Sequence, residues 1–352
     1  MSLVDTLIQP LRQKYAGSLD KNERRASRYG AYDLFREQTK DATGILTPDV
    51  RKTIKESFGN VVQIPVLNDA DDADITISNQ RSCTIPLFEN TSKLVTLSFT
   101  TYAFGFTMFP AMYKTNQIGY ERDFQVKMER YLRKLAAQFD TLCINRLNID
   151  RNQKWDGLTA TYAQVANALQ VPKSGQLDYY NQLQSMFELM DFYGDVDVLA
   201  NTMHQPFLRR TRAQGAGNDE NENFQFNPYD WKFTNRMPVA AGMESTVYAV
   251  GKGQCAFENR NDWDSIMGSS VGNGLKKWDQ VQVPIVDLLM GSYYIEDCAD
   301  ATVTIAGPAS PGMTATKMEG FAFSTDVVAI TSYNKDRANN FGPIIKAEFA
   351  NA

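Results

Sequence analysis

The sequence predicts an α+β fold, and three patterns carry that prediction. Apolar residues alternate from Val61 to Met112, one apolar stripe runs from about Gly119 to Asp150, and shorter helical and strand patterns interleave beyond residue 155. The chain has 352 residues, 43% hydrophobic and 22% charged. That length allows two or so globular units burying roughly three quarters of the surface the unfolded chain exposes. With 36 basic and 41 acidic side chains the formal net charge is -5, which sets aside a globally basic nucleic-acid binder. One histidine removes His-rich metal sites and any mechanism needing two imidazoles. No apolar run approaches the roughly 18 residues of a membrane span, so no membrane partner is expected. Asp5 and Gln9 among Leu3, Val4, Leu7 and Ile8 do not give the layout of a signal peptide. The expectation is a soluble protein made inside a cell.

Taken in order, the first 60 residues are polar and charge-mixed, with Lys21, Arg24, Arg25 and Arg28 close together. They close on a short amphipathic helix: Thr47 caps it, Pro48 suits its first turn, Val50, Ile54 and Phe58 stack four apart, and Gly59 stops it. This reads as an arm. Val62, Ile64 and Val66 then alternate, followed by Ile75 and Ile77, and by Cys83, Ile85 and Leu87. Val95, Leu97 and Phe99 hold odd positions, whereas Tyr102, Phe104, Phe106 and Met108 hold even ones. A one-residue slip inverts every side chain, so that switch near Thr100 predicts a bulge or a change of buried face. The whole of 61–112 reads as an extended β-hairpin whose aromatic second half needs a cover.

Phe124, Met128, Leu132, Leu135, Phe139 and Leu142 recur at spacings of three and four and define one long helix over 119–150, about 45 Å in length. With no second heptad segment beside it, it reads as a spine lying across a sheet rather than a coiled coil. Asp123 with Lys127 and Glu129 with Arg133 are favourable pairs four apart. Arg122, Lys127, Arg130, Arg133 and Lys134 make a basic face that suits solvent or a neighbouring subunit better than nucleic acid. Later come a helix over Leu177–Tyr193, a strand over Val196–Ala200, and a Pro-started helix from Pro206 through Arg212. Residues 214–227 read as loop. Strands are expected at 246–250, 281–285 and 293–295, a turn at 307–312, and a last alternating stretch with Phe321, Phe323, Val327 and Tyr333.

No local pattern carries catalysis. Cys83, Cys143, Cys255 and Cys298 are too scattered for zinc or redox motifs and read as small buried hydrophobes. Gly268-Ser269-Ser270-Val271-Gly272 matches a nucleophile elbow in letters only: loop-like text flanks it, and His204, the one histidine, lies upstream. Asp69, Asp71, Asp72 and Asp74 fail the calcium-loop pattern, since Asp74 and Gln80 stand where glycine and glutamate belong. No cofactor or metal is expected. An Asp/Glu pair acting on glycans has no local signature, so a carboxylate-based glycan hydrolase stands as the alternative from a different class.

In layout the chain resembles the major capsid proteins of tailed bacteriophages, the Hong Kong 97-type capsid fold. The resemblance rests on the arm, the long hairpin, the spine helix, and the run of strand Asp195–Ala200, Asn201–Arg212 and Met237-Pro238-Val239 ahead of Thr246–Val250. It implies an N-terminal arm over 1–60 and an E-loop β-hairpin over 61–112. It implies a peripheral domain over 113–155 plus 313–352, and an α/β axial domain over 156–312. It further implies a non-enzymatic virion protein, made in the host cytoplasm, that self-assembles as hexamers and pentamers into an icosahedral shell. The shell would enclose double-stranded DNA without sequence specificity, with scaffolding, portal or decoration proteins as further partners. No scaffold-like helical segment precedes the arm, which implies a separate scaffolding protein or none. Encapsulin-like shells share the fold and are the neighbouring alternative. Assembly contacts are expected at Lys93, Phe99, Phe104, Arg122, Asp123, Glu129 and Arg130. Lys93 is the one lysine of the hairpin region, and covalent crosslinking through it is not expected.

Overall fold

A 31-residue helix over Tyr120–Asp150 is the element against which most of the rest is laid. The computed structural model describes residues 3–16, 29–40, 44–57, 61–67, 92–114, 119–151, 162–189, 192–215, 229–260, 276–300, 315–332 and 342–350. In chain order the helices are α1 (Leu3–Ala16), α2 (Gly30–Lys40), α3 (Pro48–Glu56), α4 (Tyr120–Asp150), α5 (Gln176–Glu188) and α6 (Gln205–Gly215). The strands are β1 (Val61–Leu67), β2 (Ser92–Ser98), β3 (Thr100–Met108), β4 (Ala163–Val165), β5 (Ala168–Val171), β6 (Val196–Asn201) and β7 (Asp230–Thr234). They continue with β8 (Met243–Gly251), β9 (Cys255–Arg260), β10 (Lys276–Val283), β11 (Leu288–Asp300), β12 (Ala315–Thr331) and β13 (Ile344–Ala350).

The strands form three sheets. β1 and β2 make an antiparallel ribbon; β10-β11-β12-β3 lie in order with β9 also on β12; and β4-β5-β13-β8-β6-β7 make the third. The expected stripe on α4 is buried at Phe124, Met128, Leu132, Leu135 and Phe139, with Leu142 half-buried, and burial continues through Cys143, Ile144 and Leu147. This face covers Phe321, Phe323 and Val327 of β12. β8 is buried on both faces. Val247 and Ala249 meet Tyr179, Tyr180, Leu183 and Phe187 of α5, while Tyr248 and Val250 belong to the α4 core. Tyr248 also donates its hydroxyl to Asn148 Oδ1 at 3.1 Å. The third sheet is thus covered on one face by α5 and on the other by the core around the spine.

Four expectations need correction. Residues 61–112 are not one hairpin: β1 pairs with β2, but β3 leaves them and pairs with β12 from Thr100↔Val327 to Met108↔Glu319. The parity switch near Thr100 marks that change of sheet, and the aromatic cover is α4 of the same chain. The first 60 residues are more than an arm, because α2 buries Ala31, Tyr32, Leu34 and Phe35, and α1 buries Val4, Leu7, Ile8 and Leu11. Strands β10 and β11, expected with the 156–312 region, join β12 and β3. β13, expected with the spine, inserts between β5 and β8. Strand partners distant in sequence leave no mark in local periodicity, which is why these pairings could not be read. The Asp69–Asp74 cluster, Cys83, the GxSxG match, Phe58, Gly59, Tyr333 and the 307–312 turn lie outside the described residues, as does the side chain of Cys298. Cys143 and Cys255 are free and buried, their thiols held protonated by burial.

One buried carboxylate joins three elements. Asp140, fully buried on α4, accepts from Ala31 N at 2.9 Å and Tyr32 N at 3.1 Å, two of the unpaired amides that open α2. Its other oxygen accepts from Thr234 Oγ1 of β7 at 2.5 Å and faces Arg236 at 3.8 Å. Gly30 permits this approach, since a Cβ there would stand 2.4 Å from Phe233 O. The far end of α2 is held as well. Gln38 donates to Asp197 Oδ2 of β6 at 2.8 Å and accepts from Cys255 N of β9 at 2.8 Å, while Thr39 Oγ1 accepts from Phe257 N at 2.7 Å.

Burial pushes the Asp140 carboxyl up to about 6, against the opposing pull of its hydrogen bonds and Arg236. The folded chain therefore holds this proton more tightly than the unfolded chain, whose reference value is 3.8. Stability from this group falls as pH rises between those values and levels off above them. Asp140→Asn is expected to remove that slope, so variant and parent diverge by on the order of 2–3 kcal/mol between about pH 4 and pH 7. Denaturant melts across that range check it, and parallel stability curves would contradict it. Asp140→Ala, which strands two helix amides and Thr234, is expected to cost about 3–5 kcal/mol near pH 4 in the same assay, and less toward pH 7, where the parent has lost part of the contribution from this group.

Candidate assembly elements

Three features carry the residues that the sequence led us to expect at assembly contacts: the β1–β2 ribbon, the aromatic face of β3, and the outer face of α4. The ribbon runs in register from Val61↔Ser98 to Leu67↔Ser92 and pairs with no further strand among the described residues. Its root is apolar. Val62, Ile64 and Leu97 pack with Phe99 against Ile54 of α3, Ala256 of β9, and Val328 and Ile330 of β12.

Polar groups ring that small core. Arg260, 4% exposed at the end of β9, donates to Ser57 O at 2.7 Å and Ser57 Oγ at 3.0 Å. Its second nitrogen lies 3.3 Å from Asp326 Oδ2, and its guanidinium sits 4.3 Å from the Phe99 ring centroid. Thr101 Oγ1 donates to Asp326 Oδ1 at 2.6 Å. Two residues before Arg260, on the same face of β9, Glu258 meets Arg51 at 2.9 Å and Lys55 at 4.0 Å and so seats α3. Burial raises the Glu258 carboxyl, with Lys55 and Arg51 opposing.

The residues expected at assembly contacts fall into separate places. Lys93 stands opposite Val66 in the ribbon, and its side chain lies outside the described residues. Phe99 and Phe104 are engaged inside the chain. Phe99 is buried at the ribbon root, and Phe104 stacks on Tyr131 of α4 at 5.4 Å and on Phe323 of β12 at 5.1 Å. Arg122 and Arg130 are exposed on α4. Asp123 pairs with Lys127 at 2.9 Å and accepts from Tyr113. Burial would raise its carboxyl, but the hydrogen bonds from Tyr113 and Lys127 hold it below the usual range. Glu129 pairs with Arg133, the neighbour four residues on. Sequence reasoning missed Arg260, Asp326 and Asp140. Asp140 does carry a signal, a carboxylate on the apolar stripe four residues after Ala136; Arg260 shows one only once β9 is known to be a strand with Ala256 and Glu258 on the same face.

His204 is buried between Tyr180 OH, 2.6 Å from Nε2, and Ser245 Oγ, 2.9 Å from Nδ1. Burial pushes it down to about 3, so it is neutral at physiological pH and knits the core under α5. Asp197, Glu258 and Asp326 are likewise each engaged by a partner from another element. Among the described residues no cluster of three metal-ligating side chains occurs, and no helix is long and apolar enough to cross a membrane.

No family model matches the chain, and no curated protein is similar to it. Solved phage structures do align with it. One from Mycobacterium phage Che8 is 9% identical over 86% of this chain and 88% of its own, with a TM-score of 0.46. The asymmetric unit of the bacteriophage PhiM1 mature capsid is 9% identical over 84% and 83%, also at 0.46. The capsid structure of the Cyanophage P-SCSP1u is 11% identical over 84% and 85%, at 0.42.

With Phe99 in an intramolecular core, Phe99→Ala is expected to destabilise the isolated chain by about 3 kcal/mol, from lost packing and the loss of Arg260's aromatic platform. Phe104→Ala, at a half-buried stacked site, is expected to cost less. Chemical denaturation of both variants ranks them, and an unchanged midpoint for Phe99→Ala would contradict the placement.

Proposed function

We propose that this chain is a viral structural protein, a major capsid protein of the Hong Kong 97 type. It assembles as hexamers and pentamers into an icosahedral shell that encloses double-stranded DNA. The observation that carries the reading is the ribbon. β1 and β2 leave the body between α3 and β3, pair with no third strand among the described residues, and return to the point where they left. A two-stranded ribbon on its own is marginal in water, so contact beyond its packed root would stabilise it further. A second copy supplies such a surface through a heterologous contact, which closes into rings when the rotation closes. Arg122 and Arg130 on the outer face of α4 would meet other copies, with Lys93 on the ribbon. The division that goes with this reading is a peripheral unit around α4 with β3, β10, β11 and β12, and an axial unit on the sheet that holds β6, β8 and β13.

The net charge of -5 is compatible with enclosing DNA, since a packaged genome requires confinement and counterions more than tight binding by the wall. Scaffolding, portal and decoration proteins would be its other partners, and the virion its location. Sedimentation velocity and electron microscopy of the purified full chain test the proposal. Ring-shaped capsomers or closed shells are expected, and particles from infected cells should hold DNA rather than enclosed protein cargo. A strictly monomeric chain across salt and concentration would overturn it.

A further inference from the structure

We infer that Arg260 is the positioning residue that fixes the direction in which the β1–β2 ribbon leaves the body. Both ends of the excursion meet this one guanidinium. On the outgoing side, Nη1 donates to Ser57 O at 2.7 Å and Oγ at 3.0 Å, immediately after α3. On the returning side, the guanidinium covers the Phe99 ring at 4.3 Å, and Nη2 stands 3.3 Å from Asp326, whose other oxygen accepts from Thr101 at 2.6 Å. The side chain rises from the last residue of β9, a strand held to β12 from Cys255↔Thr331 to Arg260↔Asp326. A strand paired along its whole length to β12 therefore carries the group that meets both ends of the excursion.

The apolar contacts of Val62, Ile64 and Leu97 hold that root down but are non-directional. Direction requires groups with fixed geometry, and a planar guanidinium has donors enough to bond the outgoing backbone and the Asp326 carboxylate at once; an ammonium cannot reproduce that fork. The arrangement is also not the one stability alone would favour. A charge is buried, its carboxylate contact is 3.3 Å, and Nε has no hydrogen-bond partner among the described residues. Buried ion pairs of this kind contribute little net stability, and registry is their best-attested use. The inference concerns the ribbon within one chain and stands or falls apart from the shell reading.

Amide hydrogen exchange on the full chain, with every variant compared in the same assembly state, tests it. Arg260→Lys keeps a charge near Asp326 but loses the fork. The double variant Arg260→Met with Asp326→Asn leaves no unpaired buried charge and decides the matter if the lysine variant fails to fold. In either, exchange in 61–67 and 92–98 is expected to rise at least about tenfold, while 321–330 and α4 stay within about twofold of the parent. Unchanged exchange in the ribbon would overturn the inference. So would an equal rise in β12, which would make Arg260 an ordinary core contact.

Discussion

The carboxylate of Asp140 sits where α2, α4 and β7 meet, and it gives their apolar packing a fixed geometry. It is fully buried and takes its hydrogen bonds from the protein: the opening amides of α2 and the hydroxyl of Thr234, with the charge of Arg236 nearby. That set of bonds fixes the start of α2 against the middle of the spine and against the end of β7. Gly30 is then the one kind of residue that fits, because the backbone at Phe233 leaves no space for a Cβ. Once α2 is set at that end, its other end reaches β6 and β9 through Gln38 and Thr39. The two larger sheets are thereby held to one short helix, and α4 becomes a common wall for both.

A body organised this way holds the β1–β2 ribbon at its root alone among the described contacts. The ribbon leaves after α3 and returns at Phe99, and its root rests on Ala256, Val328 and Ile330, residues of strands already paired within the body. Movement of the ribbon therefore need not disturb the packing around α4. The buried polar groups His204, Glu258 and Asp326 each bond to neighbouring elements and so tie the body together.

What could be read in the sequence follows from the range of the forces involved. The stripe from Phe124 to Phe139 was legible because helix periodicity is local, as was the cap at Thr47, whose side chain accepts from Val50 N at 3.5 Å. The parity switch at Thr100 was legible as a discontinuity, but its cause was not. β3 turns to β12, and Thr101 meets Asp326 across 225 residues of chain. The burial of α2 was hidden by its mixed composition, since Asp33, Arg36 and Glu37 stand among Tyr32, Leu34 and Phe35. β13 is apolar at Ile344, Ile345, Ala347 and Phe349, yet nothing local says that it inserts between β5 and β8. Of the features expected at assembly contacts, the exposed charged face of α4 was visible in the sequence. Phe99 and Phe104 were read as outward because their partners, Arg260 and Phe323, lie far along the chain.

The proposal that depends most on the fold is that the body built on α4 offers the β1–β2 ribbon and the exposed face of α4 to further copies. Comparing hydrogen exchange in assembled particles and in subunits dissociated from them tests this most directly. The account predicts added protection in 61–67, 92–98 and the exposed face of α4 on assembly, with β8, β12 and β13 unchanged. Protection gained mainly in those body strands, with the ribbon unaltered, would contradict it.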